Sequence, residues 1–245
     1  SWLLFYAQLI CNVGEGSIGM AEIETNRKTG VGEASVRNMV YELLRNQILS
    51  FQIKPGEMLS ENMLSSQMNA GRTQVRDALA QLAEEGYIVV YPQRGTAVSM
   101  IDLGRVRQAV TTYMVLEQAM LKEICGMKLE DEQYRQLEDA LENQKRKTKK
   151  DDTLELIFAE RQFHYLLSAV CGRVHVWELF RTMNCDLLRI NYLQYSTYNY
   201  QVYMSSLTSW EHTQVEGRLL LDNIRRGDAE AAGLICSNHF NGILW

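Results

Sequence analysis

The stretch GRTQVRDALAQLAEEGYIVVYPQRGTAVS, residues 71–99, changes its period halfway along. In the first half Val75, Ala78, Leu79 and Leu82 recur three and four positions apart, which sets them on one face of a helix. Gly86 is the stop, since glycine takes the left-handed backbone of a helix end without the steric cost of a Cβ. Beyond it, YIVVY and TAVSM, rich in β-branched and aromatic residues, read as two short strands around the turn PQRG. A helix thus feeds a β-hairpin, and the residues upstream decide what kind of unit this is.

Upstream, SVRNMVYELLRNQI carries Val36, Met39, Val40, Leu43, Leu44 and Ile48 at helical period behind Ser35, the expected N-cap. KPGEM turns the chain at Pro55-Gly56. Ser60, Met63 and Leu64 then open a short second helix, which MNAG separates from the third. Three helices and a hairpin make the winged helix-turn-helix pattern, expected over residues 31–100. From residue 101 the strand signals vanish. Helices are expected near 103–125, 130–147, 152–170, 175–204, 206–226 and 228–242. The run KRKTKKDD (145–152) reads as a solvated loop, and in RRGDAEAA Gly227 ends one helix while Asp228 caps the next. The fold class is mainly α: a winged helix-turn-helix followed by an all-α helical bundle over residues 101–245.

Residues 1–30 are expected to form an extension outside both units. Their apolar opening, SWLLFYAQLICN, is short and has no basic residue ahead of it, which makes a poor signal peptide. Met20 in MAEIETNRKTG is read as the natural start, with residues 1–19 added upstream of it.

Composition narrows the class. At 245 residues and 46% hydrophobic content the chain can bury substantial cores, yet no apolar run reaches the roughly 18 residues of a membrane span. The five cysteines are scattered without a C-x-x-C pair, as in a reduced, cytoplasmic protein. A net charge of −5 argues against a uniformly basic surface but leaves room for a localised basic face.

Such a face is present in the quoted stretch. In a helix-turn-helix the second motif helix puts its N-terminal turns into the major groove. Here that end offers Arg72, Thr73, Gln74 and Arg76, the two arginines sharing a face away from the apolar stripe. The planar guanidinium fork meets guanine O6 and N7, or a phosphate, with two hydrogen bonds. Arg94 and Gly95 at the hairpin tip add a charge and a backbone able to approach DNA closely. Taken singly, each arginine is better read as an ordinary solvated helix charge. Helix order, the paired arginines and the wing together favour double-stranded DNA.

With these residues in place, LSENMLSSQMNAGRTQVRDALAQLAEEGYIVVYPQRGTAVS (59–99) resembles the DNA-binding domain of the GntR family of transcription regulators. Two positions depart from the family pattern. Gly71 stands where serine is usual, removing an N-cap hydroxyl, and Gln74 replaces a proline early in the helix. The resemblance implies a homodimer that binds an inverted-repeat operator.

A second question sits in AERQFHYLL (159–167), where Glu160 and His164 share one face of an otherwise apolar helix. The chain has only four histidines: His164, His175, His212 and His239. An all-helical domain behind a GntR-type reader resembles the FadR-like branch with its FCD effector domain. The metal-binding members carry D-x-x-x-H, then E-H, then H after a G-D break. This sequence offers ERQFH, WEH and RRGDAEAAGLICSNH. The resemblance therefore implies a metal site of Glu160, His164, His212 and His239, with Glu160 one methylene longer than the usual aspartate. Three imidazoles and a carboxylate suit a borderline divalent ion; zinc is the expected occupant, nickel and manganese the alternatives. The resemblance implies a small organic acid as effector, for which Tyr113, Arg189 and Tyr192 are the candidate contacts. Tyr113 stands where an arginine often precedes the glutamate of the first helix, here Glu117, and Arg173 replaces a common asparagine. Cys236, one turn before His239, is an alternative donor, and His175 reads as structural or surface. Tyr192, Tyr195, Tyr198, Tyr200 and Tyr203 are expected along one long helix, at spacings that suit packing or a dimer interface.

The expectation is a ligand-responsive transcription regulator, not an enzyme, with repression relieved by effector as the default. Two other readings stand beside it. One is a regulator whose effector site works without metal. The other is a metallohydrolase fused to a DNA-binding module, against which the chain shows no H-E-x-x-H and no nucleophile motif.

Overall fold

In the computed structural model, residues 33–148, 152–179, 184–197 and 209–244 are described. The chain divides after Ile101 into two compact units.

The first unit opens with α1, Glu33–Leu49. The helix begins two residues before Ser35, which lies in its first turn instead of capping it. Met39, Val40, Leu44 and Ile48 turn inward at helical spacing and are buried. Tyr41 joins them, its hydroxyl donating to the buried Glu85 carboxylate at 2.6 Å. The KPGEM turn rests on Gly56, whose φ of +82° only glycine adopts readily and whose N–H donates to the Val98 carbonyl at 2.9 Å. That turn delivers β1, Met58–Leu59. Ser60 then caps α2, Glu61–Gln67, its Oγ accepting from the Met63 N–H at 3.4 Å.

The motif's second helix, α3, spans Arg72–Glu84 and buries Val75, Ala78, Leu79 and Leu82. Gly86 follows at φ +82°. Strands β2, Ile88–Tyr91, and β3, Gly95–Val98, pair antiparallel from Ile88↔Val98 to Tyr91↔Gly95. The sheet has three strands, in the order β1-β3-β2, where the sequence led us to expect two. At two residues β1 is too short to show an alternating pattern, and its pairing with β3 supplies the edge.

The second unit is helical throughout its described residues. Asp102 caps α4, Leu103–Gly126, accepting from the Gly104 N–H at 2.7 Å. Next comes α5, Asp131–Thr148, with Lys145, Arg146 and Lys147 in its last turn. The first part of KRKTKKDD is thus a helix end and not a loop, where basic side chains complement the helix dipole. Lys147 also pairs with Glu155 at 2.8 Å, and residues 149–151 lie outside the described residues. Asp152 caps α6, Thr153–Val170.

The single helix expected at 175–204 is not formed. The described residues hold α7, Val174–Leu179, and α8, Cys185–Thr197, with Asn184 in neither. The Asn184 carbonyl accepts from the Leu188 N–H at 2.8 Å, starting a new helix there. Tyr198, Tyr200 and Tyr203 lie outside the described residues. The last pair is α9, Ser209–Arg226, and α10, Ala229–Leu244. Between them Gly227 has φ +71°, and Asp228 caps α10 through the Ala231 N–H at 3.0 Å.

The core of this unit runs through Leu121 and Ile124 of α4, Leu137 of α5, Ile157 and Leu167 of α6 and Ile224 of α9, all essentially inaccessible. Each such side chain stabilises the fold by about 1.5–3 kcal/mol relative to leaving it in water. Among the described residues no helix is long and apolar enough to cross a membrane.

Candidate functional site

In the first unit, Arg72 and Thr73 open α3 with exposed side chains, and Arg76 follows one turn on, also exposed. Arg76 is tethered to Glu61 of α2 at 3.1 Å. Both partners of that pair are solvated, so it contributes under about 1 kcal/mol. Gly71 caps the helix with no side-chain bond. A Cβ at Gly71 would stand 2.1 Å from Gln74 Oε1, so the Gln74 side chain lies across the place a cap residue would fill. Arg94 and Gly95 are exposed at the hairpin tip, where φ values of +61° at Gln93 and +104° at Gly95 close the turn.

In the second unit, acidic and imidazole side chains from four helices converge. Glu160, His164 and His239 each offer a donor atom, and these atoms lie within 4.8 Å of one another. Glu160 is buried and the two imidazoles nearly so. The helical spacing places Glu160 and His164 together on α6, while His239 comes from α10. Glu117 of α4 meets His164 Nδ1 at 2.6 Å, and Glu216 of α9 meets His239 Nδ1 at 3.0 Å. His239 Nε2 faces Glu160 Oε1 at 3.4 Å. Burial alone would lower the His239 pKa, but Glu216, Glu160 and Glu117 outweigh it and push it up to about 9.

The Tyr195 hydroxyl donates to both oxygens of Glu160, at 3.1 and 3.3 Å. Burial and the Glu160 charge hold that phenol well above its ordinary range, so it stays a donor. Burial and Glu117 likewise push the Cys236 thiol far up, leaving an S–H that points at Glu117 from 3.8 Å. Cys236 is not among the residues whose donor atoms cluster. The carboxylates and the two imidazoles line a cavity of about 20 Å³, with Leu141, Phe163, Leu220 and Ile235 in its apolar wall. That is room for an ion or one water.

The structure brings three of the four expected ligands together and leaves the fourth apart. His212 is half-exposed, and its Nδ1 reaches Glu216 at 3.4 Å, outside the cluster of donors. Glu117, Glu216 and Tyr195 were not among the expected ligands, although two of them left a trace in the sequence. Glu117 falls in register with Val106, Val110, Tyr113, Leu121 and Ile124, so a carboxylate interrupts the buried stripe of α4. Glu216 stands one turn before Leu220 in the same relation.

None of Tyr113, Arg189 and Tyr192 lines this cavity. Tyr113 is buried, its hydroxyl donating to Asn184 and its ring stacked against Phe240 at 6.1 Å between centroids. Arg189 is fully buried and ion-paired with Asp186 at 2.5 Å, which explains why it is inside without marking it as an effector contact. Tyr192 is half-buried, with Asp152 near enough to raise its pKa further after burial. His175 is exposed beside Glu178 at 3.2 Å, and Arg173 pairs with Glu123 at 2.7 Å.

A winged helix-turn-helix joined to a helical unit with an internal polar cluster defines a DNA-binding regulator with a sensing domain. Residues 36–98 match the gntR family of bacterial regulatory proteins, and residues 108–242 match the FCD domain. The chain belongs to the gntR family and carries an FCD domain; it is a transcription regulator and not an enzyme. It is 31% identical to the HTH-type transcriptional repressor RspR of Escherichia coli (strain K12) over 163 residues, 65% of this chain and 70% of that protein. It is 24% identical to the Nta operon transcriptional regulator of Aminobacter aminovorans over 199 residues, 80% of this chain and 89% of that one. A solved GntR regulator from Rhodococcus sp. RHA1 shares the fold, with a TM-score of 0.68 at 19% identity, covering 86% of this chain and 96% of that one.

Proposed function

We propose that the helical unit senses a divalent metal ion together with a small organic acid, and that its occupancy sets the operator affinity of a homodimer. The observation that carries this is the charge balance of the cluster. Glu117, Glu160 and Glu216 converge on two imidazoles, with Glu117 and Glu160 buried. Buried carboxylates in excess of their cations are costly, and a divalent ion offsets them. The donor chemistry fits: a carboxylate and two imidazoles with positions open to further oxygen ligands hold zinc, nickel or manganese. Two bonds of about 2.1 Å span about 4.2 Å, so small side-chain torsions close the 4.8 Å spread onto one ion.

The cavity accommodates an ion but not a three- or four-carbon acid. An acid therefore binds by opening the space between α6, α9 and α10, and a ligand that prefers the opened form shifts the population toward it. On the DNA side, Arg72, Thr73, Gln74, Arg76, Arg94 and Gly95 supply base and phosphate contacts to half of an inverted repeat, the two-fold of the dimer matching that of the operator.

Elemental analysis of protein purified without a histidine tag tests the metal. One equivalent of zinc, nickel or manganese, lost in His164→Ala and His239→Ala, is the expected result. A protein free of metal after exposure to all three ions would refute it. A metal-free sensor is the second reading, favoured by the His239 imidazolium between Glu160 and Glu216, which supplies one of the missing positive charges itself. The same analysis separates the two.

A further inference from the structure

His164 and His239 make the same kind of contact through the same ring atom. His164 Nδ1 meets Glu117 Oε2 at 2.6 Å, and His239 Nδ1 meets Glu216 Oε2 at 3.0 Å. In each case the carboxylate comes from a helix other than the one that carries the imidazole: α4 for α6, and α9 for α10. Each carboxylate also has a neighbour at its second oxygen. Glu117 Oε1 accepts from the Cys236 thiol at 3.8 Å, and Glu216 Oε1 has His212 Nδ1 within ion-pair distance, at 3.4 Å.

We infer that Glu117 and Glu216 are positioning residues that fix His164 and His239 as their Nδ1–H tautomers, so that each ring offers Nε2 to the ion, and that His212 acts through Glu216 and not as a ligand. The inference rests on the metal reading above and adds a division of labour to it. Which ring nitrogen carries the proton is set by the partner of the other nitrogen, and an ionised carboxylate accepts only from N–H. A carboxylate at Nδ1 therefore leaves the lone pair at Nε2. At His239 the Nε2 side of the ring faces Glu160, the carboxylate of the donor cluster, at 3.4 Å, so a bound ion would take the place of the Nε2 proton there. Carboxylates of this kind also raise the basicity of the imidazole they hold, and losing one typically weakens metal binding by roughly 10- to 100-fold. The arrangement gives His212 a role that fits its exposure. It lies at the surface, within ion-pair distance of the outer oxygen of Glu216.

The test uses the full-length protein, zinc and cobalt(II). Zinc affinity is measured by chelator competition, and cobalt(II) absorption bands report the ligand set. Glu117→Gln and Glu216→Gln are expected to weaken zinc roughly 10- to 100-fold while leaving the cobalt band positions unchanged. His212→Ala is expected to weaken zinc by less than either. Unchanged zinc affinity in both glutamine variants would overturn the inference. Shifted cobalt bands would overturn it too, since they would make the glutamates ligands. Nitrogen-15 shifts of the histidine rings in the zinc-loaded, unsubstituted protein decide the tautomers even if a variant fails to fold; Nε2–H rings at His164 and His239 in that state would sink the idea. Zinc retained at full affinity after His164→Ala and His239→Ala marks a different failure, that of the metal reading itself.

Discussion

His239 sits between two carboxylates, Glu160 on its Nε2 side and Glu216 on its Nδ1 side, with Glu117 contributing from further off. Its pKa in the folded, metal-free protein is about 9, against 6.5 for an ordinary imidazole. A raised folded pKa means that the folded state binds the proton more tightly than the unfolded chain does. The stabilisation is therefore complete below about pH 6.5 and disappears as pH rises to about 9. Its size is about 3 kcal/mol at most. Urea unfolding of chelator-treated protein at pH 6 and pH 9 checks this. Equal midpoints at the two pH values, or a pH dependence that survives His239→Gln, would contradict it. A second buried charge gives a sharper loss. Arg189 is fully inaccessible and its partner Asp186 nearly so, with Arg105 bound to the other Asp186 oxygen at 2.7 Å. Asp186→Ala leaves a buried guanidinium without its carboxylate, and the expected cost is about 3–5 kcal/mol. Denaturant titration measures it, and a loss under about 1 kcal/mol would show that the pair is solvated in solution.

Among the elements, α3 carries the prediction for DNA. Its N-terminal turn presents Arg72 and Arg76 to solvent over a face buried by Val75, Ala78, Leu79 and Leu82. Replacing either arginine with alanine leaves that face intact, so folding is retained. Operator binding is expected to weaken by about 1–3 kcal/mol for each arginine that contacts a base. Fluorescence anisotropy at fixed salt reads it, and unchanged binding in both variants would remove α3 from the interface. The same helix shows why part of the fold was legible. Its stripe, the Gly86 stop and the hairpin are local signals, each complete within a few residues. The strand β1 was not legible, because two residues cannot display a period and its partner β3 lies almost forty positions on. The break before α8 was also missed, hidden in the apolar run ELFRTMNCDLLR without glycine or proline. Asn184 followed by Asp186 was the available signal, a capping residue with an acid in the first turn. At the site, spacing made Glu160 and His164 neighbours, and the G-D break placed His239. His212 was put in the donor set by its order in the chain, whereas the fold turns it toward Glu216.

At the scale of the whole molecule, the cluster among the described residues draws on α4, α6, α9 and α10 of the second unit. An ion bound there stabilises the folded helical unit. In calorimetry, zinc at a hundredfold excess over its dissociation constant is expected to raise the stability of the unit that binds it by about 2.7 kcal/mol. His164→Ala should abolish that rise. The link to DNA then follows from reciprocity. If zinc with a small organic acid changes operator affinity by some factor, saturating operator must change the affinity for that ligand pair by the same factor. Both sides are measurable with an operator duplex selected from random sequence: DNA affinity with and without the ligands, and ligand affinity with and without the duplex. Equal factors are the expected outcome. A change in DNA affinity with no reciprocal change in ligand affinity breaks thermodynamic linkage, and would mean that the ligands act on the DNA or on the oligomeric state and not through this site.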